Sequence, residues 1–189
     1  PWEAALKRTL DVVISGVILL AGLPLWLLVA VLIKLDSRGP VFYRQERVGR
    51  NGTVFSILKF RSMVENAEQV SGPKWAEKDD PRVTRVGWII RKLHLDEVPQ
   101  FTNVLIGDMS LVGPRPERPY FVPLYHRRLK VRPGITAWAQ VKHHYDQSVE
   151  DVKTKLKYDL FYIENMSWRM DIKILFNTLY VMLRGKGHT

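Results

Sequence analysis

His94-Leu95-Asp96-Glu97-Val98-Pro99-Gln100 sets two adjacent carboxylates just before a proline, and Phe101-Thr102-Asn103-Val104-Leu105-Ile106-Gly107 continues as an apolar run of helical character. Read as a helix start, this makes Asp96 the N-cap, with Glu97 and Pro99 in the first turn, where proline's missing N–H costs nothing. A carboxylate there faces unpaired backbone N–H groups and the positive end of the helix dipole, which favours its ionised form at neutral pH. The same N–H groups attract phosphate. An ionised oxygen nucleophile beside a phosphate-attracting helix end is suited to attack on phosphorus. Asp and Glu also open many helices merely as caps, so these residues alone leave both roles open.

A second stretch, Gly113-Pro114-Arg115-Pro116, cannot be helical and holds an extended backbone around Arg115. A guanidinium on a stiff loop suits bidentate phosphate recognition. Arg127, Arg128, Lys130 and Arg132 follow, before the turn Arg132-Pro133-Gly134. They either touch nucleotide phosphate or lipid headgroups, or are solvated. His143-His144 reads as ordinary polar surface, and Asp79-Asp80-Pro81 as the end of a polar loop running from Glu65 rather than a metal site.

The bulk charge agrees with anionic partners. Lys+Arg number 29 against 19 Asp+Glu, a net charge of +10 over 189 residues, which points to phosphates, acidic lipid or nucleic acid. Nucleic acid is disfavoured, because no helix-turn-helix, zinc or stacking-platform signature accompanies the charge. The absence of cysteine excludes disulfides and thiolate metal sites. Neither a P-loop nor a Gly-x-Gly-x-x-Gly fingerprint is present, which argues against ATP-driven and dinucleotide chemistry. A chain that begins at Pro1 rather than Met is expected to be processed or cut from a longer one.

The elements that must position these residues begin with an apolar run. Val12 to Ile33 is 22 residues without a charge, flanked by Lys7 and Arg8 and by Lys34 and Arg38. As one helix it would be about 33 Å long, enough for a hydrocarbon core of roughly 30 Å. Pro24 in its middle, close to Gly22, bends such a helix. Basic flanks on both sides give no preferred orientation. The run is either a kinked spanning helix or a bent pair that enters and leaves by one face.

Beyond it, Val41-Phe42-Tyr43-Arg44 and Val54-Phe55-Ser56-Ile57-Leu58-Lys59-Phe60 are β-prone and joined through Gly49-Arg50-Asn51-Gly52, a hairpin signal. Thr84 to Leu93 is a short amphipathic helix with Arg85, Arg91 and Lys92 on its polar side. Asp151 to Glu164 and Trp168 to Leu183 are amphipathic helices, the second either lying in a membrane interface or closing the core.

In order along almost the whole chain come Lys7-Arg8 with Asp11, the proline-broken apolar run and Gly39-Pro40-Val41-Phe42. Gln45-Glu46-Arg47-Val48-Gly49, Lys59-Phe60-Arg61-Ser62-Met63 and Leu95-Asp96-Glu97-Val98-Pro99-Gln100 follow. Downstream stand Asn103-Val104-Leu105, Gly107-Asp108-Met109-Ser110, Gly113-Pro114-Arg115-Pro116 and Arg132-Pro133-Gly134-Ile135-Thr136. By these motifs the chain resembles the bacterial sugar transferases, the monotopic phosphoglycosyl transferases acting on polyprenyl phosphate.

The resemblance implies an α+β, mainly helical fold. Residues 1–38 would be a re-entrant membrane helix hinged at Leu23-Pro24, with its flanks. Residues 39–189 would be a cytosolic catalytic domain with a β-hairpin and interfacial amphipathic helices around the active site. It implies transfer of a sugar-1-phosphate from a UDP-sugar to polyprenyl (undecaprenyl) phosphate, giving polyprenyl diphosphosugar and UMP, the first membrane step of glycoconjugate assembly. Asp96 and Glu97 take the family's catalytic dyad and hold Mg²⁺; Asp96 carries a covalent phosphosugar, while Glu97 orients the metal or assists the second attack. Lys59, Arg61, Arg91 and Arg115 are the expected substrate-binding cations, although Lys59 and Arg61 could equally bracket a strand end. The implied setting is the bacterial inner membrane, with donor, acceptor and lipid as partners, no nucleic acid, and a homo-oligomer open.

Two positions depart from the family pattern. Leu23 stands where a serine usually precedes the proline, so no hydroxyl rebonds the carbonyl that proline leaves unpaired. In Thr136-Ala137-Trp138 an alanine replaces the common glycine. The competing reading is a non-enzymatic basic membrane-interface module that recruits anionic partners, which leaves the dyad and the rigid Arg115 loop without a task.

Overall fold

The computed structural model describes residues 2–65, 67, 80–119, 126–142 and 149–183. The apolar run folds as two helices, α1 (Trp2–Ala21) and α2 (Leu23–Asp36), bent by 62°. Among the described residues no single helix is long and apolar enough to cross a membrane, but the bent pair meets the length and composition together. The break falls at Gly22, and Pro24 sits in the first turn of α2, where its lost N–H is harmless. A Cβ at Gly22 would overlap the Trp26 indole, which folds back across the break and donates from Nε1 to the Ile18 carbonyl at 3.3 Å. Gly22 N donates to the same carbonyl at 3.1 Å.

The Asn-Gly signal gives a hairpin: β1 (Phe42–Val48) pairs antiparallel with β2 (Val54–Phe60), from Phe42 opposite Phe60 to Val48 opposite Val54. Asn51 and Gly52 adopt positive φ (57° and 80°), the backbone that asparagine and glycine tolerate best. Then come α3 (Arg85–Lys92) and α4 (Gln100–Ile106). β3 (Ser110–Val112) pairs parallel with β4 (Gly134–Thr136), and α5 (Trp138–Lys142), α6 (Val149–Glu164) and α7 (Trp168–Leu183) complete an α+β, mainly helical fold. The loop expected from Glu65 to Pro81, including Asp79, lies mostly outside the described residues, as does His143-His144. Asp80 is ion-paired with Arg82.

Two apolar clusters organise these elements. Ile57, Val104, Met109, Val112, Trp138, Tyr162 and Ile174 join the hairpin to α4–α7; Val29, Ile33, Phe60 and Ile90 join α2 to β2 and α3. α7 closes the first core through Ile174 and leaves Phe176, Leu179 and Tyr180 exposed. The start of α1 is fastened inside the domain. Lys7 pairs with Asp171 at 2.6 Å and donates to Val112 O at 3.0 Å. Arg8 donates to Val104 O and Leu105 O (2.6 and 2.8 Å), taking up carbonyls at the C-terminal end of α4. Buried Asp11 accepts from Leu111 N at 3.0 Å.

α3 is held at both sides of its first turn. Thr84 caps it by accepting from Gly87 N, and Asp36 at the end of α2 accepts from Val86 N at 2.9 Å. Thr84 N donates to Ser62 O at 3.0 Å, so the α3 backbone lies on the chain leaving β2. A Cβ at Gly87 would overlap the Ser62 carbonyl. Gly87→Ala is therefore expected to lower stability by about 1–3 kcal/mol, the usual cost of overpacking, and to loosen the α3–β2 joint. A denaturant titration that left the midpoint unchanged would refute that close approach.

Candidate active site

The dyad is not at a helix N-terminus. Leu95–Glu97 forms a 3₁₀ turn of its own, and α4 starts at Gln100 with Pro99 as its cap and no side-chain capping bond. This corrects the expectation that Asp96 caps the following helix. The turn is set by His94, whose φ of 55° is the left-handed conformation that non-glycine residues adopt at a cost. His94 stops α3 sharply, and the chain re-enters with Glu97 directed at Lys59 of β2 and at Arg115.

Their electrostatics differ. Lys59 Nζ and Arg115 Nη2 both donate to Glu97 Oε1, at 2.8 and 3.0 Å. Although burial opposes ionisation of Glu97, these two cations outweigh it and hold its carboxyl well below the usual range. Asp96 has no ion pair among the described residues. Burial, then the adjacent Glu97 charge, push it up to about 6, against the weaker pull of Lys59, Arg91 and Arg115. The Asp96 carboxylate is thus held in reserve by nearby cations rather than by a helix dipole, and remains largely ionised at neutral pH.

Of the expected cations, Lys59 and Arg115 meet on Glu97, and Arg91 lies close enough for its charge to favour ionised Asp96. Arg61 goes elsewhere. Its guanidinium, 5 % exposed, donates to Arg38 O, Ser37 O and Ser37 Oγ, where α2 ends. Unpaired carbonyls at a helix C-terminus attract a cation, which is why Arg61 is committed there.

Arg47 is the residue the motif reading passed over as a site candidate. Its Nη1 donates to Pro116 O at 3.0 Å and its Nη2 to Gln45 Oε1 at 2.6 Å. Burial and the charges of Arg115 and Arg118 lower its pKa to about 10. An open cleft of about 240 Å³ brings Arg47, Lys59, Glu97, Gln100 and Arg115 together. Strand alternation carries the signal for Arg47. In the register Tyr43–Lys59, Gln45–Ile57, Arg47–Phe55, it shares a face with Lys59. Of the later basic residues, Arg128 is buried rather than solvated.

The described residues contain no cluster of three carboxylate or imidazole metal ligands. A pair of adjacent carboxylates, of which Glu97 lines the cationic cleft, nevertheless suits Mg²⁺, which is usually bound by one or two carboxylates and completes its shell with waters and substrate phosphates.

The model of the family described as bacterial sugar transferase matches residues 2–185. The chain is 48% identical over 194 residues to the UDP-N-acetylgalactosamine-undecaprenyl-phosphate N-acetylgalactosaminephosphotransferase of Aeromonas hydrophila, covering 99% of this chain and 46% of that protein. It is 41% identical over 198 residues to the exopolysaccharide production protein PSS of Rhizobium leguminosarum bv. phaseoli, covering 98% and 99%. With the UDP-glucose:undecaprenyl-phosphate glucose-1-phosphate transferase of Escherichia coli (strain K12), identity is 42% over 186 residues, covering 93% and 39%. The chain thus spans less than half the length of the first and third of these, and nearly all of the second.

The asymmetry of the dyad can be measured directly. In metal-free protein the Asp96 carboxyl, followed by infrared difference spectroscopy against Asp96→Asn, is expected to titrate at about 6. Lys59→Met removes a charge that favours the ionised form, so the titration moves to higher pH. Titration of Asp96 at an ordinary aspartate value, about 4, would show that burial does not dominate.

Proposed function

The chain belongs to the bacterial sugar transferase family, and from that premise we propose that it transfers a sugar-1-phosphate from a UDP-sugar to polyprenyl phosphate. The observation that carries this reading is the divided dyad: one carboxylate neutralised by two cations, its neighbour unpaired and more basic than an ordinary aspartate. Paired groups whose environments push their pKa values apart are paired groups with different roles.

In the first step an Asp96 carboxylate oxygen attacks the sugar-bearing phosphorus of the donor. The new O–P bond forms as the bond to the bridging oxygen breaks, and the electron pair leaves with UMP. In the second step an acceptor phosphate oxygen attacks the same phosphorus. The Asp96 O–P bond breaks, giving polyprenyl diphosphosugar and restoring the carboxylate. A pKa raised to about 6 makes Asp96 a better nucleophile than an ordinary carboxylate while leaving it ionised in neutral solution.

Lys59, Arg115 and Arg47 line the cleft where phosphoryl charge develops, and fixed cations there stabilise the transition state without reorganisation. Arg91 keeps Asp96 available in its ionised form. Mg²⁺, when bound, would be held by Asp96 and Glu97 with phosphate oxygens, and supplies charge neutralisation and in-line alignment.

In this reading α1 and α2 form a re-entrant pair that enters and leaves the inner membrane by its cytosolic face. The bend at Gly22, the Trp26 indole across it, and exposed Leu20, Leu27, Leu28 and Val31 support that placement. Lys7, Arg8 and Asp11 tie the start of α1 to the domain, which keeps the cleft near the headgroups where an acceptor phosphate lies.

Incubation of the lipid-reconstituted chain with a panel of UDP-sugars, Mg²⁺ and undecaprenyl phosphate is expected to release UMP. Asp96→Asn should reduce that release by roughly a thousandfold or more, as loss of a nucleophile does, with membrane binding retained. Mass spectrometry of wild-type protein quenched with donor alone should find a phosphosugar on the peptide containing Asp96. Wild-type UMP release by Asp96→Asn would sink the mechanism.

A further inference from the structure

Arg115 is bracketed by Pro114 and Pro116, which fix their own φ angles but not the direction in which Arg115 reaches. That direction is set by donors to the local carbonyls. Pro114 O accepts from Gly134 N at 2.9 Å, and Glu117 O from Val48 N at 2.9 Å. Pro116 O accepts from Arg47 Nη1 at 3.0 Å. Arg115 O, in the middle, accepts from Arg128 Nη2 at 3.1 Å. Four consecutive carbonyls are thus taken up by residues of β1, β4 and the 3₁₀ turn His126–Lys130.

Arg128 does more than cap one carbonyl. Its Nη1 donates to Glu117 Oε1 at 3.2 Å, an oxygen that also accepts from Lys155 Nζ at 3.2 Å. Its Nη2 lies 2.7 Å from Asp159 Oδ2 on α6. Arg128 is 4 % exposed and Asp159 1 %. A buried ion pair is weak evidence for stability, since well-packed apolar residues of similar volume commonly do as well or better. What an apolar pair cannot do is hold a backbone carbonyl and two carboxylates in one rigid fork.

We infer that Arg128, anchored by Asp159, is a positioning residue: it fixes the backbone from which Arg115 reaches Glu97 and the phosphates of a nucleoside diphosphate. The inference rests on the reading of the cleft as a donor-phosphate site. It separates two roles along one chain of contacts, with Arg115 touching the dyad and Arg128 acting only through Arg115.

The test uses the full chain in lipid nanodiscs, with UDP binding by calorimetry, UMP release and thermal melting as three readouts. Arg128→Met/Asp159→Leu replaces the buried charges by apolar groups and is expected to melt at or above the wild-type temperature. Its UDP affinity and kcat should nevertheless fall by roughly tenfold to a hundredfold, the scale of a misplaced positioning group. In an Arg115→Ala background the same double change should add nothing. If that variant fails to fold, Arg128→Lys keeps a charge opposite Asp159 but lacks the fork, and should show the same losses.

Wild-type affinity and kcat in a well-folded double variant or in Arg128→Lys would overturn the inference. So would an effect undiminished in the Arg115→Ala background. A chain that binds UDP, loses that affinity in Arg128→Lys, yet turns over no UDP-sugar would remove the proposed reaction and uphold the positioning role. Failure of the unaltered chain to bind UDP would overturn both.

Discussion

Two cations on one carboxylate oxygen govern the centre of this protein. Asp96 and Glu97 are consecutive, half-buried, and would repel one another if both were ionised without help. Lys59 from β2 and Arg115 from the proline-bracketed loop meet on Glu97 Oε1 and settle the conflict in its favour. The strain that remains falls on Asp96. Moving either cation changes which carboxylate carries charge, so the hairpin register and the Arg115 loop are electrostatic devices as much as scaffolding.

The same logic joins the site to the bent helices at the start of the chain. α2 ends in two opposite interactions. Asp36 supplies an acceptor to the first turn of α3, and the carbonyls of Ser37 and Arg38 take the Arg61 guanidinium. One helix end thereby holds both the strand that carries Lys59 and the helix that delivers Asp96. Only a glycine at position 87 lets that helix lie on Ser62. A change in the tilt of α2 therefore reaches Lys59 and the dyad through contacts only a few residues long.

Much of this was legible in the sequence, for reasons that differ by residue. Asp96, Glu97 and Arg115 stand out because adjacent carboxylates before proline and an arginine between prolines are local patterns. The hairpin was readable because Asn51-Gly52 prefers positive φ. The dyad's setting was not, because a single residue, His94, takes the left-handed conformation and inserts a 3₁₀ turn where a helix start was expected. Arg61 shares a motif with Lys59 but stands two residues on, where the strand has ended; which carbonyls attract it depends on where α2 finishes, a tertiary fact. The parallel pairing of β3 and β4 lies between segments more than twenty residues apart and leaves only three residues in each strand, too few for a period.

Arg47 and Arg128 show a further distinction that composition hides. Both are arginines in a chain of net charge +10, and a count of charge treats them like any solvated cation. Yet each donates to the backbone of the Arg115 loop, and Arg47 also faces the cleft. A net positive charge raises the local concentration of anions, whereas a charge held by its own hydrogen bonds fixes where an anion can sit. Catalysis of phosphoryl transfer needs the second, because donors must be in place before charge develops. The arginines that matter most here are therefore those whose guanidinium groups are already tied to the protein, and fixed hydrogen bonds, rather than the number of charges, separate a built anion site from a merely basic surface.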